Sequence, residues 1–218
     1  MHYRSESVSV SALAPGKIVC VGRNYAEHAR ELGNSVPESP VLFMKPNTSL
    51  CHWQDNFSIP NGRGECHHEL ELALLIKSPL SQAREEDCLS AVAAVGLALD
   101  LTLRDEQTQL KQAGKPWEMA KAFDGACPIS AWIPVPEELD SLTLELVVNG
   151  QLRQRGNSAD MLWSPQQLLH YISQFFTLNP GDIVLTGTPS GVAALSPGDE
   201  VVGQLGDLLT VSGKVINE

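Results

Sequence analysis

The sequence has no basic excess. Its 15 lysines and arginines face 26 aspartates and glutamates, a formal net charge of −11 over 218 residues. A nucleic-acid binder needs a basic face, so this balance argues against that class. Anionic ligands gain no long-range attraction either, and any anion site must be assembled locally from a few cations or a metal. No two cysteines stand in a CxxC pair; the five, at positions 20, 51, 66, 88 and 127, are scattered and odd in number. That spacing fits neither a disulfide framework nor a zinc site. It reads as small buried hydrophobes in a reducing compartment. No run approaches the roughly 18 apolar residues of a membrane span. The polar start MHYRSESVSVSALAPGK lacks the apolar stretch of a signal peptide. The expectation is a cytoplasmic protein. There is no GxxxxGK[ST] phosphate loop, and no linker or composition break divides the chain.

What is present suits one strand-rich domain. With 43% hydrophobic residues, the chain is long enough to build a substantial core, and its 17 glycines and 14 prolines supply many turns. KIVCVG (17–22) predicts a buried strand, and NYAEHARELG (24–33) a helix with Asn24 as N-cap, Glu27 completing a capping box and Gly33 as the stop. VLFMKP (41–46) predicts a strand ended by Pro46. SPLSQAREED reads as a connection with a helical turn. AVAAVGLALDLTLRDEQTQLKQAG runs from an apolar segment into an amphipathic one. LTLELVVNGQLRQRG is a hairpin signal, with Asn149-Gly150 suited to a type I′ turn. SPQQLLHYISQFF predicts a helix opened by Ser164 and Pro165. NPGDIVLTGTPSG and SPGDEVVGQLG each place a Pro-Gly turn before a β-branched run, giving two further strands.

HHELELALLIK (67–77) carries the first chemical signal. On a strand, Glu69 and Glu71 share one face, while Leu70, Leu72 and Leu74 line the other. The glutamate face continues as Ala73 and Leu75, so it turns apolar at once. Two readings stand open: a solvated strand end, in keeping with the exposed habit of glutamate, or buried carboxylates that need a cation. Asp100 adds a third acid at the end of the apolar run VAAVGLAL. Three carboxylates suit a hard cation such as Mg²⁺ or Mn²⁺ better than zinc. His67 shares the glutamate face but reads as solvated or structural. His28 and Glu31, three apart on the first helix, are either an ordinary surface pair or a carboxylate-oriented imidazole. Arg23, Lys45, Arg104 and Lys121 lie near the ends of elements, where each is a surface charge or a ligand for a substrate carboxylate. TGTPSG (186–191) offers hydroxyls and open amides to an anion, or is a plain turn.

Six segments resemble, in order, the fumarylacetoacetate hydrolase family: GRNYAEHARELG, VLFMKP, HHELELALLI, ALDLTLRD, GKPWEMAKAFD and GDIVLTGTPSGV. The resemblance is closest to its small single-domain acylpyruvate hydrolases and runs from about residue 17 to the C-terminus. It implies an α+β, β-rich fold of the fumarylacetoacetase C-terminal-domain type, a mixed sheet rolled up with a few peripheral helices. The implied layout is an N-terminal segment 1–16 and a single catalytic domain 17–218, assembled as a homodimer. It also implies Glu69, Glu71 and Asp100 as metal ligands, with Mg²⁺ the usual ion and Mn²⁺ or Ca²⁺ in its place in some members. His28, Glu31 and Lys121 fall on catalytic positions. Arg104, Gln107 and Thr188 fall on substrate-binding ones, and Arg23 joins them as a cation at the end of a strand.

The activity expected on this basis is metal-dependent hydrolysis of a C–C bond in 2,4-dioxo acids such as acetylpyruvate or fumarylpyruvate. His28 and Glu31 would activate the attacking water, and the metal and Lys121 would hold the pyruvate enolate. Decarboxylation or keto–enol tautomerisation of oxaloacetate is the alternative, since the same metal-plus-enolate chemistry supports it without an attacking water. A non-catalytic metal-binding or ligand-sensing module is the third reading. In each the partner is a small oxo acid, not a nucleic acid or a membrane.

Overall fold

The computed structural model describes residues 1–5, 9–31 and 36–217. Its framework is a seven-stranded mixed sheet in the order Val41–Lys45, Ile18–Gly22, Ile183–Leu185, Leu70–Ile76, Val92–Leu99, Cys127–Ile129, Leu50–His52. Ile18–Gly22 runs parallel to Ile183–Leu185, and Leu50–His52 parallel to Cys127–Ile129; the remaining pairs are antiparallel. A five-stranded sheet packs beside it, ordered Gln151–Asn157, Thr143–Val148, Glu200–Leu205, Leu209–Asn217, Phe57–Ile59. A small third sheet joins Ala193–Leu195, Cys66–His68 and Thr102–Leu103. The fold is therefore the β-rich roll with few helices that the family resemblance implies.

The central strand Leu70–Ile76 is buried on both faces. Leu70, Leu72, Leu74 and Ile76 enter the core shared with the five-stranded sheet, among Trp53, Leu97, Leu144, Leu146 and Val201. Ala73 and Leu75 enter a second cluster with Cys20, Ala94, Ala98, Ile129 and Trp132. A strand covered on two sides has no polar face, which is why the glutamate face turns apolar so early. Trp53 is wedged under the five-stranded sheet: a Cβ on Gly203 would come within 2.8 Å of its ring, and one on Gly213 within 2.2 Å of its carbonyl oxygen. Only glycine permits that approach.

Local chemistry explains the edges. Pro165–Ser173 is a helix closed at its start by a reciprocal box: Ser164 Oγ accepts from Gln167 N–H at 3.3 Å, and Ser164 N–H donates to Gln167 Oε1 at 3.0 Å. Asn149 and Gly150 have φ of 51° and 75°, the left-handed pair a type I′ turn requires. The first helix spans Ala26–Glu31, and there the capping expectation needs correction. Asn24 spends its side chain elsewhere, donating to the carbonyls of Trp163 and Thr186 and accepting from Trp163 N–H. It pins the loop after Ile18–Gly22 to a distant segment instead of capping a helix. Gly33, expected as the stop, lies outside the described residues. Among the described residues no helix is long and apolar enough to cross a membrane.

Candidate active site

Leu70 pairs with Leu99 at the last rung of the two central antiparallel strands. The next residues outward, Glu69 and Asp100, leave the sheet together, with Asp100 N–H donating to the Glu69 carbonyl at 2.8 Å. Glu69 is thus not inside a strand. It forms the break between Cys66–His68 of the small sheet and Leu70–Ile76 of the large one. Glu71 lies one step into the sheet, where Gly187 N–H donates to its Oε2 at 2.6 Å. Gly187 sits at φ 98°, and a Cβ there would meet Asn24 Cβ at 2.6 Å, so the amide reaches Glu71 only through a glycine. One oxygen from each of Glu69, Glu71 and Asp100 lies within 4.8 Å of the other two, and all three residues are buried.

Three cations answer this negative cluster. Lys121, itself buried, donates to Glu69 Oε2 at 2.9 Å, Asp100 Oδ2 at 2.6 Å and Thr102 Oγ1 at 2.7 Å. Arg104 donates one N–H to Glu69 and another to Gln107 Oε1. Lys45 Nζ lies 2.7 Å from Asp100 Oδ1 and is fully enclosed. Burial by itself would raise the Glu69 carboxyl, but the charges of Lys121 and Arg104 outweigh it and hold the group well below the usual carboxylate range. Glu71 goes the other way: burial, then repulsion from Asp100 and Glu69, pushes it well above its ordinary value. Burial opposes the charge of Lys121, yet Asp100 and Glu69 carry its pKa above the ordinary lysine value.

This donor set fits a hard divalent cation. All three ligands offer oxygen, and they repel one another. The TGTPSG loop, read as a possible anion site, does bind anions, but they are the protein's own. Gly187 N–H takes Glu71, and Gly191 N–H takes both carboxylate oxygens of Glu31 at 3.0 and 3.2 Å.

A cleft of about 430 Å³, including its open mouth, lies over the acids. His28, Arg23, Arg104, Gln107, Lys121, Thr188, Glu69 and Glu71 all line it, with Asp100 just behind. His28 is buried, with Nδ1 3.4 Å from Glu31 Oε2, and Glu31 stands outside the cleft as the anchor of that ring. Desolvation lowers the His28 pKa, against the raising effect of Glu69 and Glu31, so the ring is neutral near pH 7. Arg23 holds φ 62°, a left-handed conformation that side chains with a Cβ seldom adopt. His67 faces Glu65 at 3.0 Å, away from the cleft, in line with a structural role. Lys45, considered above for a substrate carboxylate, does not line the cleft; its side chain is spent on Asp100 and on the carbonyls of Leu101 and Lys121.

Four residues at or beside this site are not among the sequence candidates, although VLFMKP and GKPWEMAKAFD contain Phe43 and Trp117. Lys111, Phe43 and Trp117 line the cleft. Gln154, buried in the Gln151–Asn157 strand, accepts from Leu70 N–H at 3.0 Å and faces His68 Nδ1 at 2.9 Å, while its amide donates to Thr188 Oγ1 and the Pro189 carbonyl, both at 2.8 Å. It grips the chain on both sides of Glu69 and also Thr188. Thr188 Oγ1 accepts from Gln154 and lies 3.5 Å from the Pro189 carbonyl, to which its own hydroxyl donates.

Residues 17–216 match the family described as fumarylacetoacetate (FAA) hydrolase C-terminal. The chain is 54% identical over 188 residues to the oxaloacetate tautomerase YcgM of Escherichia coli K12, covering 85% of this chain and 86% of that protein. It is 41% identical over 200 residues to the mitochondrial oxaloacetate tautomerase FAHD1 of Bos taurus, covering 91% and 90%. The crystal structure of fumarylpyruvate hydrolase from Pseudomonas aeruginosa in complex with Mn²⁺ and pyruvate superposes with a TM-score of 0.93 at 32% identity, covering 100% of this chain and 96% of that one. An enzyme is therefore supported, but the expected hydrolysis of acylpyruvates is overturned. The relatives at 54% and 41% identity are named tautomerases, whereas the hydrolase stands at 32%.

Proposed function

The chain belongs to the fumarylacetoacetate hydrolase family, and from that premise we propose that it is a metal-dependent oxaloacetate tautomerase, interconverting the keto and enol forms. The observation that carries this reading is a neutral, anchored imidazole in the same cleft as a buried three-carboxylate cluster. A divalent cation held by Glu69, Glu71 and Asp100 would supply a Lewis acid for the 2-oxo oxygen, and the all-oxygen ligands and the Mn²⁺ bound by the hydrolase relative support Mg²⁺ or Mn²⁺.

His28 moves the proton. With Nδ1–H turned to Glu31, its Nε2 lone pair is the free base. Nε2 takes a proton from C3; the C–H electron pair becomes the C2–C3 π bond, and the former carbonyl π pair moves to the 2-oxygen. The imidazolium then gives its proton to that oxygen, yielding the enol, and the same steps in reverse regenerate the ketone. No water attacks and no C–C bond breaks. Glu31 positions the ring and stabilises its charged form, and Gly191 N–H keeps Glu31 in place. The Gln107 amide, whose oxygen is taken by Arg104, turns its N–H₂ to the substrate. Thr188 adds a hydroxyl to the cleft wall. Lys121, all three of whose N–H donors go to Glu69, Asp100 and Thr102, acts through its charge and not by direct proton donation. The homodimer implied by the resemblance belongs to this proposal, and a sedimentation mass of one chain would end it.

The test is the ultraviolet absorbance of the oxaloacetate enol on mixing with protein, with Mg²⁺ and with excess EDTA. Metal-dependent acceleration toward the keto–enol equilibrium is expected, and His28→Ala should slow it by roughly 10²–10⁴-fold. An unaccelerated approach, or full activity in His28→Ala, would reject the reading.

A further inference from the structure

Two cations that line the cleft, Arg23 and Lys111, have no task in this mechanism, and Lys111 stands on the same helix as two other site residues. Lys111 follows Arg104 and Gln107 at positions i+7 and i+4 on the helix Arg104–Gln112, so the three share a face, and all three line the cleft. Lys111 Nζ sits 5.1 Å from the ring centroid of Trp117, and Lys121 Nζ 4.9 Å from that of Phe43. The two rings are 6.0 Å apart, so a single aromatic wall carries an ammonium at each end. Their partners differ. Lys121 is saturated by Glu69, Asp100 and Thr102. Lys111, among the described residues, has no carboxylate at ion-pair distance, in a chain with 26 acids against 15 bases. Burial first, and then the charges of Arg104, Lys121 and Arg23, push its pKa down to about 8. A half-buried ammonium among other cations is unfavourable without a counter-ion, and the substrate can bring one.

We infer that Lys111 receives the second, distal carboxylate of the substrate and makes the site selective for dicarboxylic over monocarboxylic 2-oxo acids. The inference rests on the reading of the acid cluster as the end that takes the 2-oxo acid head. Malate and lactate test it, since both are stable 2-hydroxy acids with the same chelating head and only malate has a distal carboxylate. Calorimetric titration of the Mg²⁺-loaded enzyme should show malate binding about tenfold or more tighter than lactate. Lys111→Met should weaken malate by roughly the same factor and leave lactate within about twofold, while Lys111→Arg keeps most of the preference. Unchanged malate affinity in Lys111→Met, or equal weakening of both ligands, would overturn the inference. Should Lys111→Met fail to fold, judged by circular dichroism, Lys111→Gln serves for the same comparison. Oxaloacetate kinetics keep the two readings apart. A wild type that does not tautomerise oxaloacetate sinks the function whatever Lys111 does; a competent wild type whose malate affinity ignores Lys111 sinks this inference alone.

Discussion

Asp100 takes Lys121 on one oxygen and Lys45 on the other, and it still repels the Glu71 carboxyl beside it. A cation completes that arrangement, so Asp100→Asn should weaken Mn²⁺ binding by at least roughly tenfold in a calorimetric titration. Undiminished Mn²⁺ affinity would remove Asp100 from the metal site. His28 gives a second expectation. Burial lowers its pKa, so the basic form survives below the ordinary imidazole value, and kcat/KM should fall only as pH drops through that lowered pKa, with the acid limb below about 6.5. An acid limb above that value would assign the base to another group. Residue type and spacing left the acids and the His28–Glu31 pair between a surface reading and a functional one, and the family resemblance turned both toward function. Lys111 and Gln154 were not legible by either route. Lys111 looks like any lysine on a polar helix, and what sets it apart is that no carboxylate among the described residues comes within ion-pair distance, a property of three-dimensional packing. Gln154 sits in a run of charged and polar residues, QLRQRG, and its partner His68 lies 86 residues away.

Strands and turns divide along the same line. The Asn149-Gly150 hairpin, the Ser164 cap and the strands at Ile18–Gly22 and Val41–Lys45 follow from local rules, and all of them form. The continuous strand expected across HHELELALLI breaks at Glu69, because its two halves join different sheets and Asp100 N–H claims the Glu69 carbonyl. No local rule announces that break. Asn24 likewise satisfies every rule for a cap, but a tertiary partner, Trp163, won its side chain. Gln154 ties these elements together, joining the hairpin to the break and to the Thr188 loop. Gln154→Leu would strand the Leu70 N–H and the His68 ring in the interior. It should destabilise the fold by at least about 1–3 kcal/mol in denaturant titration and weaken Mn²⁺ binding with it. Stability and metal affinity both at wild-type level would show that Gln154 positions nothing.

Across the whole molecule, the acidic balance and strand-rich composition limited the class, while the sheet order was beyond reach. Ile18–Gly22 lies beside Ile183–Leu185 in parallel, a pairing set by core shape and not by either segment's pattern. The three buried carboxylates also couple the site to global stability, since a cation that binds only the folded chain stabilises it by mass action. At about 100 times its Kd the gain is about 2.7 kcal/mol, which for a chain of this size raises Tm by roughly 5–10 °C. EDTA should reverse the rise, and a Tm indifferent to Mg²⁺, Mn²⁺ and EDTA would argue against a metal in the cluster. The central claim, proton transfer at C3 without bond cleavage, has a direct readout in the NMR signal of the oxaloacetate methylene in D₂O. With Mg²⁺-loaded wild type, the account predicts loss of that signal by exchange much faster than in buffer containing the same metal, with no pyruvate formed and with His28→Ala close to the buffer rate. Exchange no faster than buffer, or pyruvate appearing as the signal is lost, would contradict it.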